Sequence, residues 1–189
     1  MNLYWRLLLV WLRARRKPRI RLGETIELRL TVLPNDLDLN GHMNNGRYLT
    51  IVDLALVEYM TRAGFVGHAL RQRWRPMMTG SMIAFRRGLR PFRRYTLRFA
   101  IDCWDERWAY VRYAFVHDGR VVASGHGRGG IVGPQGVVGS AEMCRVLGVD
   151  PVSPPMPAAL AAWIEADRML RAAHEAPVAP LDSPQREIA

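Results

Sequence analysis

Lysine is nearly missing from this chain: of its 27 basic residues only Lys17 is not arginine. That bias points to genome base composition more than to function. Cysteine is equally scarce. Cys103 and Cys144 stand in unlike contexts, so neither a disulfide framework nor a zinc site is expected. The five histidines (His42, His68, His117, His126 and His174) show no ligand spacing, so no metal or redox cofactor is implied. No apolar run reaches the roughly 20 residues needed to span a bilayer, and there is no internal repeat or heptad run. The glycine-rich GHGRGG at 125–130 lies inside a strand pattern, which excludes a phosphate-binding loop. Ser81 and Ser124 lack the context of a nucleophile elbow.

What is present suits one domain with appendages: 189 residues, 49% apolar, enough for a real core. The net charge of +10 is lopsided. Residues 1–22 carry +7 and no acid, leaving +3 for the remainder. A basic arm on a nearly neutral body argues against nucleic-acid binding. That arm places its charges after a short apolar block (Leu3–Leu12, interrupted by Arg6). A secretory leader has the reverse order, so a reducing, cytoplasmic setting is expected. The block suits either peripheral contact with anionic lipid at the inner membrane face, Trp5 and Trp11 at headgroup level, or packing on the protein's own body or a partner subunit.

Residues 24–33 alternate as a half-buried strand ended by Pro34. From Gly46 to about Gly64 runs a helix apolar on most sides, which something must wrap. Strands follow at 77–89 and 95–104, then a hairpin turning at Asp118-Gly119. The expected class is α+β, an antiparallel sheet curled around a long central helix. Three segments result: the arm 1–22, the folded body 23–140, and a proline-linked helix (158–173) with a disordered tail in 141–189.

Between the first strand and the helix stands NDLDLNGHMNNGRYL, residues 35–49, with more short polar side chains than a turn and a cap require. Asn35 reads as a turn residue and Asn45 as a helix cap. Asp38, Asn40 and His42 then fall on alternate positions ahead of a helix N-terminus, around Asn45, Gly46 and Arg47, whose N–H groups suit a developing oxyanion. A carboxylate beside it can attack an acyl group or activate water.

This order of strand, DLDLNGHMNN, RYL, long apolar helix and antiparallel strands resembles the hotdog-fold thioesterases of the 4-hydroxybenzoyl-CoA type, over residues 24–135, and within them the branch of thioesterase-superfamily member 6. The resemblance implies an acyl-CoA thioesterase, a homodimer or homotetramer, and coenzyme A only as part of the substrate. It makes Asp38 the catalytic carboxylate, with Asn40 and His42 positioning water or the thioester. Plant acyl-carrier-protein thioesterases of this kind add a glutamate after an arginine pair; here FRRGL puts Gly88 in that place. Hence the alternative, a non-catalytic acyl-CoA-binding or membrane-associated hotdog protein. The expected substrate contacts are Tyr48, Met78, Met82 and Phe85 for the acyl chain and Arg86, Arg87 and their arginine neighbours for coenzyme A phosphates. Asp53, on the helix, is the second-ranked carboxylate, and Glu58 is expected at a polar edge or dimer contact.

Overall fold

The computed structural model describes residues 2–174; most of the tail expected to be disordered lies outside them. The chain divides into a unit at Met1–Pro155 and a second at Met156–Ala189. In the second, the alanine-rich stretch forms a helix, Ala158–His174, whose surface carries the i,i+3 pair Glu165–Arg168.

In the first unit the alternating segment forms β1 (Ile26–Thr31) and the long apolar segment forms α2 (Asn45–Arg62). Gly64 terminates it with φ at +81°, a left-handed conformation cheap only for glycine. Then come β2 (Arg75–Phe85), β3 (Arg94–Trp104), β4 (Ala109–His117), β5 (Arg120–Gly133) and a short β6 (Gly136–Val138). Neighbours in the sheet run β1-β3-β4-β5-β2, all antiparallel, with β6 beside β5. The β4–β5 turn has positive φ at both Asp118 and Gly119, the hairpin geometry their sequence specifies. β2 starts earlier than the pattern suggested and stops at Phe85, because Leu89 folds back into the core.

The sheet's concave face receives α2. Tyr48 meets Phe115 edge-on at 4.8 Å and Tyr59 meets Phe99 at 5.6 Å, with Ile51, Leu54 and Ala55 fully enclosed. Each such large side chain contributes about 1.5–3 kcal/mol by leaving water.

The sheet covers only one side of α2; the other wrapping element lies upstream. Residues Asn2–Ala14 form α1, which buries Val10 and Ala14 and packs on α2. Glu58 is therefore at no polar edge: its side chain is wholly buried, bound by Lys17 at 2.7 Å and Arg62 at 3.3 Å. Two further short helices, α3 (Phe65–Gln72) and α4 (Ser140–Leu147), escape the sequence pattern. Cys103 and Cys144 are buried free thiols.

Candidate active site

The polar loop is folded by its own side chains. Leu37 and Met43 bridge as antiparallel partners. Between them the Asp38 N–H donates to the His42 carbonyl at 2.8 Å, and the Gly41 N–H to the Asp38 carbonyl at 3.1 Å. The Asp38 carboxylate closes this turn through Oδ1, accepting the N–H of Asn40 at 2.8 Å and of His42 at 3.4 Å. Among the described residues, its Oδ2 takes no hydrogen bond. Asp38 and His42 are half-buried and Asn40 is exposed. A carboxylate held in place by one oxygen and open at the other can bind or deprotonate something external.

The helix start differs from expectation. Asn44, not Asn45, is the cap: its side chain accepts the Gly46 N–H at 2.9 Å and its carbonyl accepts that of Arg47 at 2.8 Å. Two of the three expected oxyanion donors are thus engaged within the loop. The Arg47 side chain is engaged too, its Nε donating to Asp36 at 3.1 Å. Asp36, which is not among the expected site residues, is fully buried.

Tyr48 lies in the core one turn into α2. Burial pushes its phenol up, the Leu89 backbone bond opposes this, and the Asp38 charge adds to it. Phe85 packs edge-on against Tyr48 at 5.1 Å and leaves part of its ring exposed. Met82 does not join them. It pairs with His126 across β2 and β5, on the face opposite Phe85, because residues three apart in a strand point to opposite sides. Met78, by contrast, does pack against the core, lying over Gly127 and Gly129. The glycine run excluded as a phosphate loop thus has a packing reason: a Cβ at Gly127 would collide with Met78.

Asp53 is exposed two turns along α2, its carboxyl pushed up by partial desolvation. Arg86 and Arg87 are exposed where β2 ends, their N–H groups both donating to the Val122 carbonyl. Beyond them opens a cleft of about 690 Å³ walled by His42, Gly88, Arg87, Arg90, Arg93 and Arg120, with Asp118 its one acid. Gly88 has a defined role there. A Cβ on it would stand 2.8 Å from Cδ2 of the His42 ring, so the ring lies over the glycine backbone. Position 88 can carry a carboxylate only if His42 moves. Among the described residues no cluster of potential ligands could hold a metal ion.

A family profile described as the thioesterase-like superfamily matches residues 32–164. Protein THEM6 of Xenopus laevis is 40% identical over 87 residues, which are 45% of this chain and 41% of that protein. Thioesterase poxG of Penicillium oxalicum is 28% identical over 98 residues, 44% of this chain and 32% of its own. The chain thus spans well under half the length of these curated relatives. Among solved structures, a gentisyl-coenzyme A thioesterase superposes with a TM-score of 0.58 at 20% identity, covering 65% of this chain and 98% of that one. The fold is a hotdog.

Proposed function

The chain belongs to the thioesterase-like superfamily, and from that premise we propose that it hydrolyses acyl-CoA thioesters with Asp38 as the reacting carboxylate. The observation that carries the reading is the Asp38 carboxylate itself, fixed through Oδ1 and open at Oδ2 beside the α2 N-terminus. Asp38 either activates a water molecule or attacks the acyl carbon; in both routes water supplies the hydroxyl of the free acid and the thiol of coenzyme A leaves with a proton. Asn40 and His42 orient the water or the thioester. The α2 dipole and the Asn45 N–H face the oxyanion, and Gly46 joins them only when the carbonyl displaces the Asn44 side chain. The exposed part of the Phe85 ring offers the acyl chain an apolar surface, with Tyr48 buried behind it in edge-on contact.

The basic cleft beside His42 supports coenzyme A, part of the substrate and not a resident cofactor, with Arg87, Arg90 and Arg93 answering its phosphates; Arg86, expected with them, does not line the cleft. The same reading makes the protein a homo-oligomer; in its support, β2 is an 11-residue strand at the edge of the sheet, paired on one side only among the described residues. It also makes it a cytoplasmic protein with peripheral membrane contact. No described helix is long and apolar enough to cross a membrane. Yet α1 turns Tyr4, Trp5, Leu8 and Leu12 outward beside a run of arginines. Gly88 favours a second reading, a binding protein that no longer cuts.

Free-thiol release from short, long and aromatic acyl-CoAs, wild type against Asp38→Asn, decides between them. Turnover lost in the variant with acyl-CoA binding kept supports the hydrolase. Binding without turnover on any substrate supports the second reading, and turnover kept in the variant moves the carboxylate to Asp53.

A further inference from the structure

Arg6 is the one charge inside the apolar block of α1, and it points inward. Its side chain is 11% exposed and forms a two-pronged pair with the wholly buried Asp36. Nη2 lies 2.7 Å from Oδ2 and Nη1 3.2 Å from Oδ1. Nη2 also reaches the Thr31 carbonyl, at the end of β1, at 3.3 Å. Asp36 in turn binds Arg47 through Oδ1 and the Leu33 N–H, at 2.9 Å, through Oδ2. Its own carbonyl accepts the N–H of Asn44, the residue that caps α2. One carboxylate thus joins α1, the end of β1, the polar loop and the first turn of α2, and it sits two residues before Asp38.

We propose that Arg6 and Asp36 are positioning residues for the Asp38 loop, so that the N-terminal helix is a working part of the site and not a detachable arm. Without Arg6, each Asp36 oxygen keeps a single donor, Arg47 on one and Leu33 on the other. A buried carboxylate stripped of its bidentate cation seeks water. Opening the loop that it anchors lets it reach water, and that motion displaces Asp38 and the Asn44 cap together. A small displacement of a reacting group is costly in rate. The catalytic half of this inference rests on the thioesterase reading; the structural half does not.

The test compares three variants of the full chain. Arg6→Met removes the charge while keeping the packing, Arg6→Lys keeps the charge but not the fork, and Lys17→Met breaks another ion pair between arm and body, the one to Glu58. Amide hydrogen exchange is followed at Asp38, Gly41 and Asn44, and kcat and KM are measured on the best acyl-CoA substrate. Arg6→Met should speed exchange at these three amides at least tenfold, with β3 and β4 unchanged. It should also lower kcat tenfold or more with KM within threefold. Arg6→Lys should recover part of both losses, and Lys17→Met should leave kcat within twofold and the loop protected.

Unchanged loop exchange in Arg6→Met would overturn the proposal. So would a Lys17→Met variant as impaired as Arg6→Met, since the arm would then give only general stability. If Arg6→Met does not fold, faster loop exchange in Arg6→Lys against steady β3 and β4 supports the proposal, and unchanged exchange sinks it. If wild type cleaves no acyl-CoA, the thioesterase reading fails, and exchange alone decides whether Arg6 holds the loop.

Discussion

A carboxylate stands at each end of α2, and the two are held in opposite ways. Asp38, at the N-terminal end, is half-buried, bound by two backbone N–H groups on one oxygen and by no cation among the described residues. Glu58, near the C-terminal end, is wholly buried between Lys17 and Arg62. Backbone N–H groups fix a carboxylate's position while leaving it open to a substrate. Two cations on one buried oxygen fix it in the interior, where its Oε2 takes no hydrogen bond among the described residues. The same side-chain chemistry is therefore left half-open ahead of the helix and enclosed near its far end.

The sharpest test of that contrast is Asp38→Asn, which keeps the Oδ1 acceptor and so the turn. Activity should fall at least a hundredfold, about 2.7 kcal/mol of transition-state stabilisation, while the thermal midpoint stays within about 2 °C. Glu58→Gln should show the reverse, a loss of about 2 kcal/mol in urea unfolding with kcat unchanged. The cost falls below the range for a fully buried pair because Lys17 keeps contact with water. Placing a carboxylate at position 88 by Gly88→Glu should lower kcat roughly tenfold, about 1.4 kcal/mol, because the new Cβ evicts His42. A gain in kcat would show that His42 is not needed where it stands.

The smallest effect is on stability in acid. Burial lowers the proton affinity of His126 below its ordinary value near 6.5; Asp102 opposes the shift and Arg112 reinforces it. Below about pH 6.5 the unfolded chain takes up a proton that the folded one still refuses, so stability falls as the pH drops through that window. His126→Gln should flatten the fall in a pH series of unfolding midpoints.

Local periodicity made much of this fold legible. The alternation of 24–33, the all-round apolar helix and Asp118-Gly119 each carry their structure in their spacing. The short helices α3 and α4 were not legible, since eight residues give too few turns for a period to stand out. The loop was recognisable as a surplus of polar residues, but their division of labour was hidden. Asp36 answers a guanidinium 30 residues away, and nothing within the loop records that. A signal did exist at the other end, because Arg6 sits on the inward stripe of α1 with Val10 and Ala14, and a charge there needs a buried partner. Glu58 in an apolar helix posed the same question. Met82 and Phe85 stand three apart in β2, so strand parity alone separates their faces.

The ties of α1 to the body fall early in the chain, and this has a consequence for synthesis. Arg6, Asp36, Lys17, Glu58 and Arg62 have all been made before any of β2 to β5. At about 5–20 residues per second, the ribosome needs several more seconds to reach the end of β5. During that interval α2 has no sheet to lie in, and its apolar surface is a hazard for aggregation. The α1 helix, which packs on one flank of α2 in the folded chain, is already made and available to cover that flank in the interval.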